Sequence, residues 1–305
     1  MIIKCFLRRL RLNKSAIWKS ACTITGFALT IWGFVSLFDP LNNVFPNDFN
    51  PFYKLLIGFL VLLIVFFLSL IIASLGVFCS NKICLGESLT KKRVYVTYSD
   101  LFSNEIVEKS YNEKCAIVVP VNRCFDTIVD DHIVSHNTLH GKALQKLYDE
   151  QIFTPETLNN TICDLLDRNN ATYDDITLEE KPEGNRKRHT VGTVVDLRID
   201  EKRSYYLLGL SSFDKHLNAQ TSKADFVFAV QKLIEFCNQN AQGYPVILPL
   251  LGSGFSRTKI ELNDILHFLV DAFAINKDII NNDFYIIVWR DDKDRVAIKE
   301  LRKWK

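Results

Sequence analysis

Two long apolar stretches near the amino terminus constrain this chain more than any other feature. Ser20 to Phe38, SACTITGFALTIWGFVSLF, is 19 residues without a charge, and Leu55 to Phe78, LLIGFLVLLIVFFLSLIIASLGVF, is 24. A helix needs about 20 mainly apolar residues to cross the roughly 30 Å hydrocarbon core of a bilayer. Both stretches meet that length. The segment between them, DPLNNVFPNDFNP, has three prolines, two aspartates and no basic residue, as suits a short turn outside lipid. Lys4, Arg8, Arg9, Arg11, Lys14 and Lys19 precede the first stretch, and Lys82, Lys91, Lys92 and Arg93 follow the second. Lys and Arg concentrate on the cytoplasmic side of membrane spans. Both termini are therefore expected in the cytoplasm, with residues 17–79 a two-helix transmembrane hairpin behind a basic segment, 1–16. A signal peptide fits poorly, because the first apolar core is too long and a second follows. Ser69 and Ala73 form a small-xxx-small pair of the kind that lets membrane helices approach closely.

Charge separates the chain at the same place. Residues 1–79 hold seven of the 37 Lys and Arg but only Asp39 and Asp48 among the 35 acids. Residues 80–305 are thus near neutral, which argues against nucleic-acid binding driven by bulk charge. The eight cysteines show no CxxC spacing and no disulfide framework, which fits a reducing compartment.

After a linker at 80–91, the pattern changes to strands alternating with helices. RVYVTYSDLF is expected as a strand running into a polar turn, and CAIVVPVN (115–122) as a strand buried on both faces. Helices are expected at 140–151, 154–169, 222–238 and 261–275, with Thr154 and Pro155 as N-cap and first helical residue. HTVGTVVDLRI, RSYYLLGL, PVILPLL and DFYIIVW supply further strands. The polar stretch 171–188 reads as an exposed loop or insertion, the run Arg186–His189 as solvated, and Asp294–Trp304 as a short basic helix. This alternation indicates an α/β domain of three layers over 92–305.

Ligands of open α/β sheets collect at the carboxyl ends of strands. Three such ends stand out: SDL (99–101), VNRCFD (121–126) and GSGFSR (252–257). In the last, glycines allow close approach of an anion, and Arg257 can pair with phosphate. The loop is neither a Walker A motif nor GxGxxG. His132, His136 and His140 would share a face and could bind zinc if they lay on one helix. Cys124 with His132 leaves a thiol nucleophile open, beside structural or ligand-orienting roles for these histidines.

Together these strand ends resemble a macro domain, an α/β/α fold with a mixed sheet that binds ADP-ribose. Tyr98-Ser99-Asp100-Leu101 occupies the place where that family presents an acid to adenine. Asn122 stands where its Asn motif meets the distal ribose, and Gly252-Ser253-Gly254-Phe255-Ser256-Arg257 corresponds to its phosphate loop. The loop after Asn122 carries glycine only at Gly141, and Ser256 replaces the ribose-stacking aromatic, which implies a remodelled distal pocket. The whole chain, both spans included, resembles the membrane-bound macro-domain effectors of type II Thoeris anti-phage defence. That resemblance implies a multi-pass protein of the bacterial inner membrane. Its cytoplasmic domain would bind ADP-ribose joined to histidine, a NAD-derived signal made by a TIR-domain partner. Binding would drive homo-oligomer assembly and disruption of membrane lipid. The implied ligand contacts are Asp100, Leu101, Asn122, Phe125, Asp126, His140, Gly141 and Gly252 to Arg257. No metal, cofactor or nucleic acid is expected, and no enzymatic activity, because no nucleophile or metal set stands out. The alternative is a membrane-anchored hydrolase of ADP-ribosyl groups with Asp126 or His140 as base.

Overall fold

The computed structural model describes residues 2–38, 50–102, 114–251 and 260–304. The chain divides into two compact units, Met1–Asn81 with Ala297–Glu300, and Lys82–Val296 with Leu301–Lys305.

The first unit is helical: α1 (Ile2–Leu12), α2 (Lys14–Phe38) and α3 (Pro51–Cys79). Asn50 starts α3 by accepting the Phe52 N–H at 2.9 Å, and Pro51 follows in the first turn, where its missing N–H costs nothing. Ile17 and Ala21 of α2 form a buried cluster with Ala73 and Val77 of α3. Arg9 reaches the Val77 carbonyl, whereas Trp18 meets Phe66 edge to face, so α3 is traversed backwards as α1 and α2 advance. The two long helices therefore run antiparallel. Ser69 and Ala73 are both buried, and the small side chains of Ala21 and Ala73 share the contact cluster.

Among the described residues, one helix has the length and hydropathy of a membrane span, Phe52–Cys79. Its most apolar window is only 6% buried, so it is not the core helix of a soluble fold. Two such helices were expected. Ser20–Phe38 is helical within α2, but the polar hydroxyls of Thr23 and Thr30, which donate to the Lys19 and Gly26 carbonyls, dilute its apolar character, and Lys14 and Lys19 occupy the start of the same helix.

The second unit is built on an eight-stranded mixed sheet. Its strands are β1 (Lys82–Glu87), β2 (Arg93–Ser99), β3 (Cys115–Asn122), β6 (Val194–Arg198), β7 (Arg203–Phe213), β8 (Ala219–Gln220), β9 (Val246–Pro249) and β10 (Phe284–Trp289). A separate hairpin pairs β4 (Tyr173–Asp175) with β5 (Lys187–His189). The main order is β1-β2-β10-β9-β3-β7-β6, with β8 beside β7. Strands β2, β10, β9, β3 and β7 are parallel, and β1 and β6 close the edges antiparallel.

The parallel centre explains the unbroken apolar run of β3, since successive side chains alternate faces and both faces are covered. On one face Ile117, Val119 and Val121 pack with Leu144 and Leu147 of α4 (Leu139–Asp149) and Leu158 and Ile162 of α5 (Pro155–Arg168). Each leucine so buried contributes roughly 1.5–3 kcal/mol. On the other face Tyr206 meets Phe236 of α6 (Lys223–Asn240) edge to face at 5.2 Å, and Phe284 meets Phe273 of α7 (Leu262–Ile275) at 4.7 Å. Thr154 closes a capping box with Thr157 at the start of α5, and Pro155 takes its first turn.

Three expectations are corrected. The linker 80–91 contains β1, whose Ile83 and Leu85 are buried while Lys82 and Cys84 remain exposed. Asp294–Trp304 is not a helix but a tail with one 3-10 turn at Ile298–Glu300, and its Trp304 N–H donates to Leu85 at 2.7 Å. Residues 171–188 are largely exposed, as expected of an insertion, but they are ordered by the β4–β5 hairpin and bury Ile176 and Lys181.

Candidate functional site at the strand ends

β3 ends at Asn122, in the middle of the sheet, and its side chain is 3% exposed. The Oδ1 atom accepts the backbone N–H of Cys124 at 3.0 Å and of Asp126 at 3.4 Å. That pairing fixes which way the amide points. The Nδ2 donor is buried and makes no well-formed hydrogen bond among the described residues, although it helps hold the nearby Asp126 carboxyl down. A buried donor without a partner costs about 1–3 kcal/mol, so a site of this kind invites an acceptor from a ligand.

Asp100 follows β2, and its carboxylate accepts the Phe102 N–H at 3.0 Å while Leu101 is buried. Two strands, β10 and β9, lie between β2 and β3. At about 4.8 Å per strand, the ends carrying Asp100 and Asn122 stand roughly 14 Å apart. The chain leaves β9 between them, with the Leu250 N–H on the Ile287 carbonyl at 3.0 Å. Gly252, Ser253, Gly254, Phe255, Ser256 and Arg257 lie outside the described residues.

Asp126 is placed differently from a base facing an open pocket. It is 2% exposed, and Lys181, fully buried, donates to its Oδ2 at 2.7 Å. The Asn185 N–H donates to Oδ1 at 2.6 Å, and the lysine also donates to the Asn185 carbonyl. Burial pushes the Asp126 carboxyl up, against the Lys181 ammonium and the Asn185 N–H, which hold it down. Gly184 makes the approach possible. It adopts φ +78°, and a Cβ there would collide with the Asp126 carboxylate.

Phe125 is a core residue, 2% exposed at φ 52° and set edge to face with His189. The 123–126 loop is held by Arg123 Nε on the His189 carbonyl at 2.7 Å and by the Asn185 side chain on the Cys124 carbonyl at 3.2 Å. His140, in the first turn of α4, is driven down to about 3 by burial, which a hydrogen bond donated to the Asp126 backbone carbonyl offsets only in part. It is neutral throughout the physiological range. Gly141 gives its N–H to Thr138, the N-cap of α4, at 2.9 Å. A Cβ on Gly141 would run into the Ser135 carbonyl. Gly141→Ala is expected to destabilise the domain by about 1–3 kcal/mol through overpacking, read by denaturant unfolding.

The three histidines do not share a helix face. His132 and His136 lie in the bends before α4, with His136 Nδ1 3.2 Å from Asp131, and only His140 is helical. No cluster fit to hold a metal occurs among the described residues. Cys124 is buried, and desolvation raises its thiol to about 11, which removes it as a nucleophile. Lys181, Asn185 and His189 escaped sequence reading because a polar, charged stretch carries no mark of burial. The Lys181-Pro182-Glu183-Gly184-Asn185 turn was the one available signal.

The match to known proteins agrees with this architecture. Residues 94–288 match the family described as Thoeris protein ThsA, Macro domain. The chain belongs to that family. Beyond the macro domain, Thoeris protein ThsA of Bacillus amyloliquefaciens (strain Y2) is 25% identical over 260 residues, covering 80% of this chain and 79% of that one. A crystal structure of a protein from Bacteroides thetaiotaomicron, 11% identical, covers 63% of this chain and 97% of that one at a TM-score of 0.35, too slight a likeness for argument. The ThsA macro match spans β2 to β10, the strands whose ends carry Asp100 and Asn122.

Proposed function

We propose that this chain is a ligand-gated membrane effector of anti-phage defence. Its macro domain binds ADP-ribose joined to histidine, made from NAD by a TIR-domain partner. The bound chains assemble in the bacterial inner membrane, with α2 and α3 as a two-span hairpin and both termini cytoplasmic, and disrupt the bilayer. The observation that carries the reading is the Asn122 amide at the end of β3, buried, oriented through Oδ1 and with its Nδ2 in no well-formed hydrogen bond among the described residues. In this reading adenine meets Asp100, the diphosphate follows Gly252 to Arg257, and the distal ribose accepts from Asn122. The antiparallel packing of α2 on α3 supports the hairpin. Gating requires the ligand to prefer the assembled state over the resting one.

Binding without turnover is favoured over hydrolysis. Asp126 is committed to Lys181, the imidazole of His140 is too weakly basic at about 3, and Cys124 is protonated at neutral pH. Thermal unfolding of the full chain in detergent tests the ligand. The histidine conjugate at about 100 times its dissociation constant is expected to add about 2.7 kcal/mol, and ADP-ribose or NAD at the same concentration less. No stabilisation by any of the three would remove the reading. Release of free histidine or ribose during long incubation would move the assignment to the hydrolase.

A further inference from the structure

We propose that α1 is an interfacial helix that lies in the headgroup layer and binds anionic phospholipid. The inference rests on the reading of α3 as a membrane span. The helix places Phe6, Leu7 and Leu10 on one arc and Lys4, Arg8 and Arg11 on the adjoining arc. Helices of this kind, with an apolar face beside a basic one, settle at the boundary between lipid and water.

The structure fixes where that helix sits on its unit. Phe6 stacks on Phe78 at 4.7 Å, and Arg9 donates to the Val77 carbonyl at 3.0 Å. The last carbonyls of a helix lack intrahelical donors, and a guanidinium there also meets the negative end of the helix dipole. Arg9 thus ties α1 to the carboxyl end of α3, where a bilayer-spanning helix meets the headgroups. What α1 leaves uncovered suits that level. Phe6 and Leu7 are 47% and 57% exposed, and Lys4, Arg8 and Arg11 are exposed beside them. A protein surface that exposes apolar and basic groups side by side, next to an apolar span, matches acyl chains and anionic headgroups together. Residues 80–305 carry no such excess of positive charge.

Each basic side chain held near an anionic leaflet is worth roughly fivefold in binding, so Lys4, Arg8 and Arg11 together supply roughly a hundredfold. The test is hydrogen exchange of residues 4–11 in the full chain reconstituted in nanodiscs of phosphatidylcholine alone or with phosphatidylglycerol. Exchange is expected to slow by tens of fold with the anionic lipid. The triple variant Lys4→Glu, Arg8→Glu, Arg11→Glu should lose that dependence, with amides of the sheet unchanged. Equal exchange in both lipids, with the chain still resistant to alkaline carbonate extraction, would overturn the proposal and leave the span intact. Extraction by carbonate would overturn both.

Discussion

Lys181→Met is expected to lower the stability of the folded chain by about 3–5 kcal/mol, the cost of leaving a buried carboxylate without its counter-charge. The reason lies in the surroundings of Asp126, which is 2% exposed beside a lysine with no exposed surface. With the ammonium gone, only the neutral Asn185 N–H and the Asn122 side chain would stabilise the negative form. The double variant Lys181→Met, Asp126→Leu should recover much of the loss, because a buried ion pair often contributes little over an apolar pair of similar volume. If the two losses simply add, the residues do not act as a pair.

The pH dependence follows with a definite sign. Desolvation already holds the Asp126 carboxyl above its ordinary 3.8, and removing Lys181 raises it further. A folded state with a raised carboxyl binds protons that the unfolded chain has released. The variant should therefore be most stable below the ordinary carboxylate range and lose stability as pH rises through the raised value. Denaturant unfolding at several pH values reads this directly, and a variant that gained stability with pH would contradict the assignment.

Asn122→Ala should weaken binding of the histidine–ADP-ribose conjugate about 100-fold, or about 2.7 kcal/mol, and cost the unliganded domain a comparable amount, about 1–3 kcal/mol. The stability cost is the penalty for leaving the N–H groups of Cys124 and Asp126 without their acceptor. The loss of affinity has two parts. The Nδ2 donor disappears from the ligand, and the 123–126 loop loses the bonds that set its position. Calorimetric titration at a temperature where both forms are folded separates these effects. Unchanged affinity would move the ligand away from the end of β3.

How much of this was legible before the structure differs from element to element. β3 could be read from CAIVVPVN because burial on both faces leaves no polar position in the pattern. α5 could be read from Thr154-Pro155, whose capping chemistry is local. Asn122 could be found because a polar residue ending such a run stands at a strand terminus. β1 could not, since KICLGE alternates over only six residues beside the charged Lys91, Lys92 and Arg93, and its pairing with β2 is a tertiary fact. α1 was visible only as basic charge, because its apolar arc appears when the residues are wound on a helix.

The roles of Phe125, Asp126 and Gly141 depended on three-dimensional packing. All three follow the Asn122 strand end, where ligand contact was expected. Phe125 instead packs inward against His189, Asp126 meets a lysine 55 residues away, and Gly141 backs onto Ser135. Local patterning determined the apolar amino-terminal region, the α/β alternation and the strand ends that form the site, since each rests on spacing within a few residues. Which polar side chains face a ligand and which are spent on one another was decided by tertiary structure. That choice depends on partners brought from distant sequence into a low-dielectric interior, where an unpaired charge is too costly to persist.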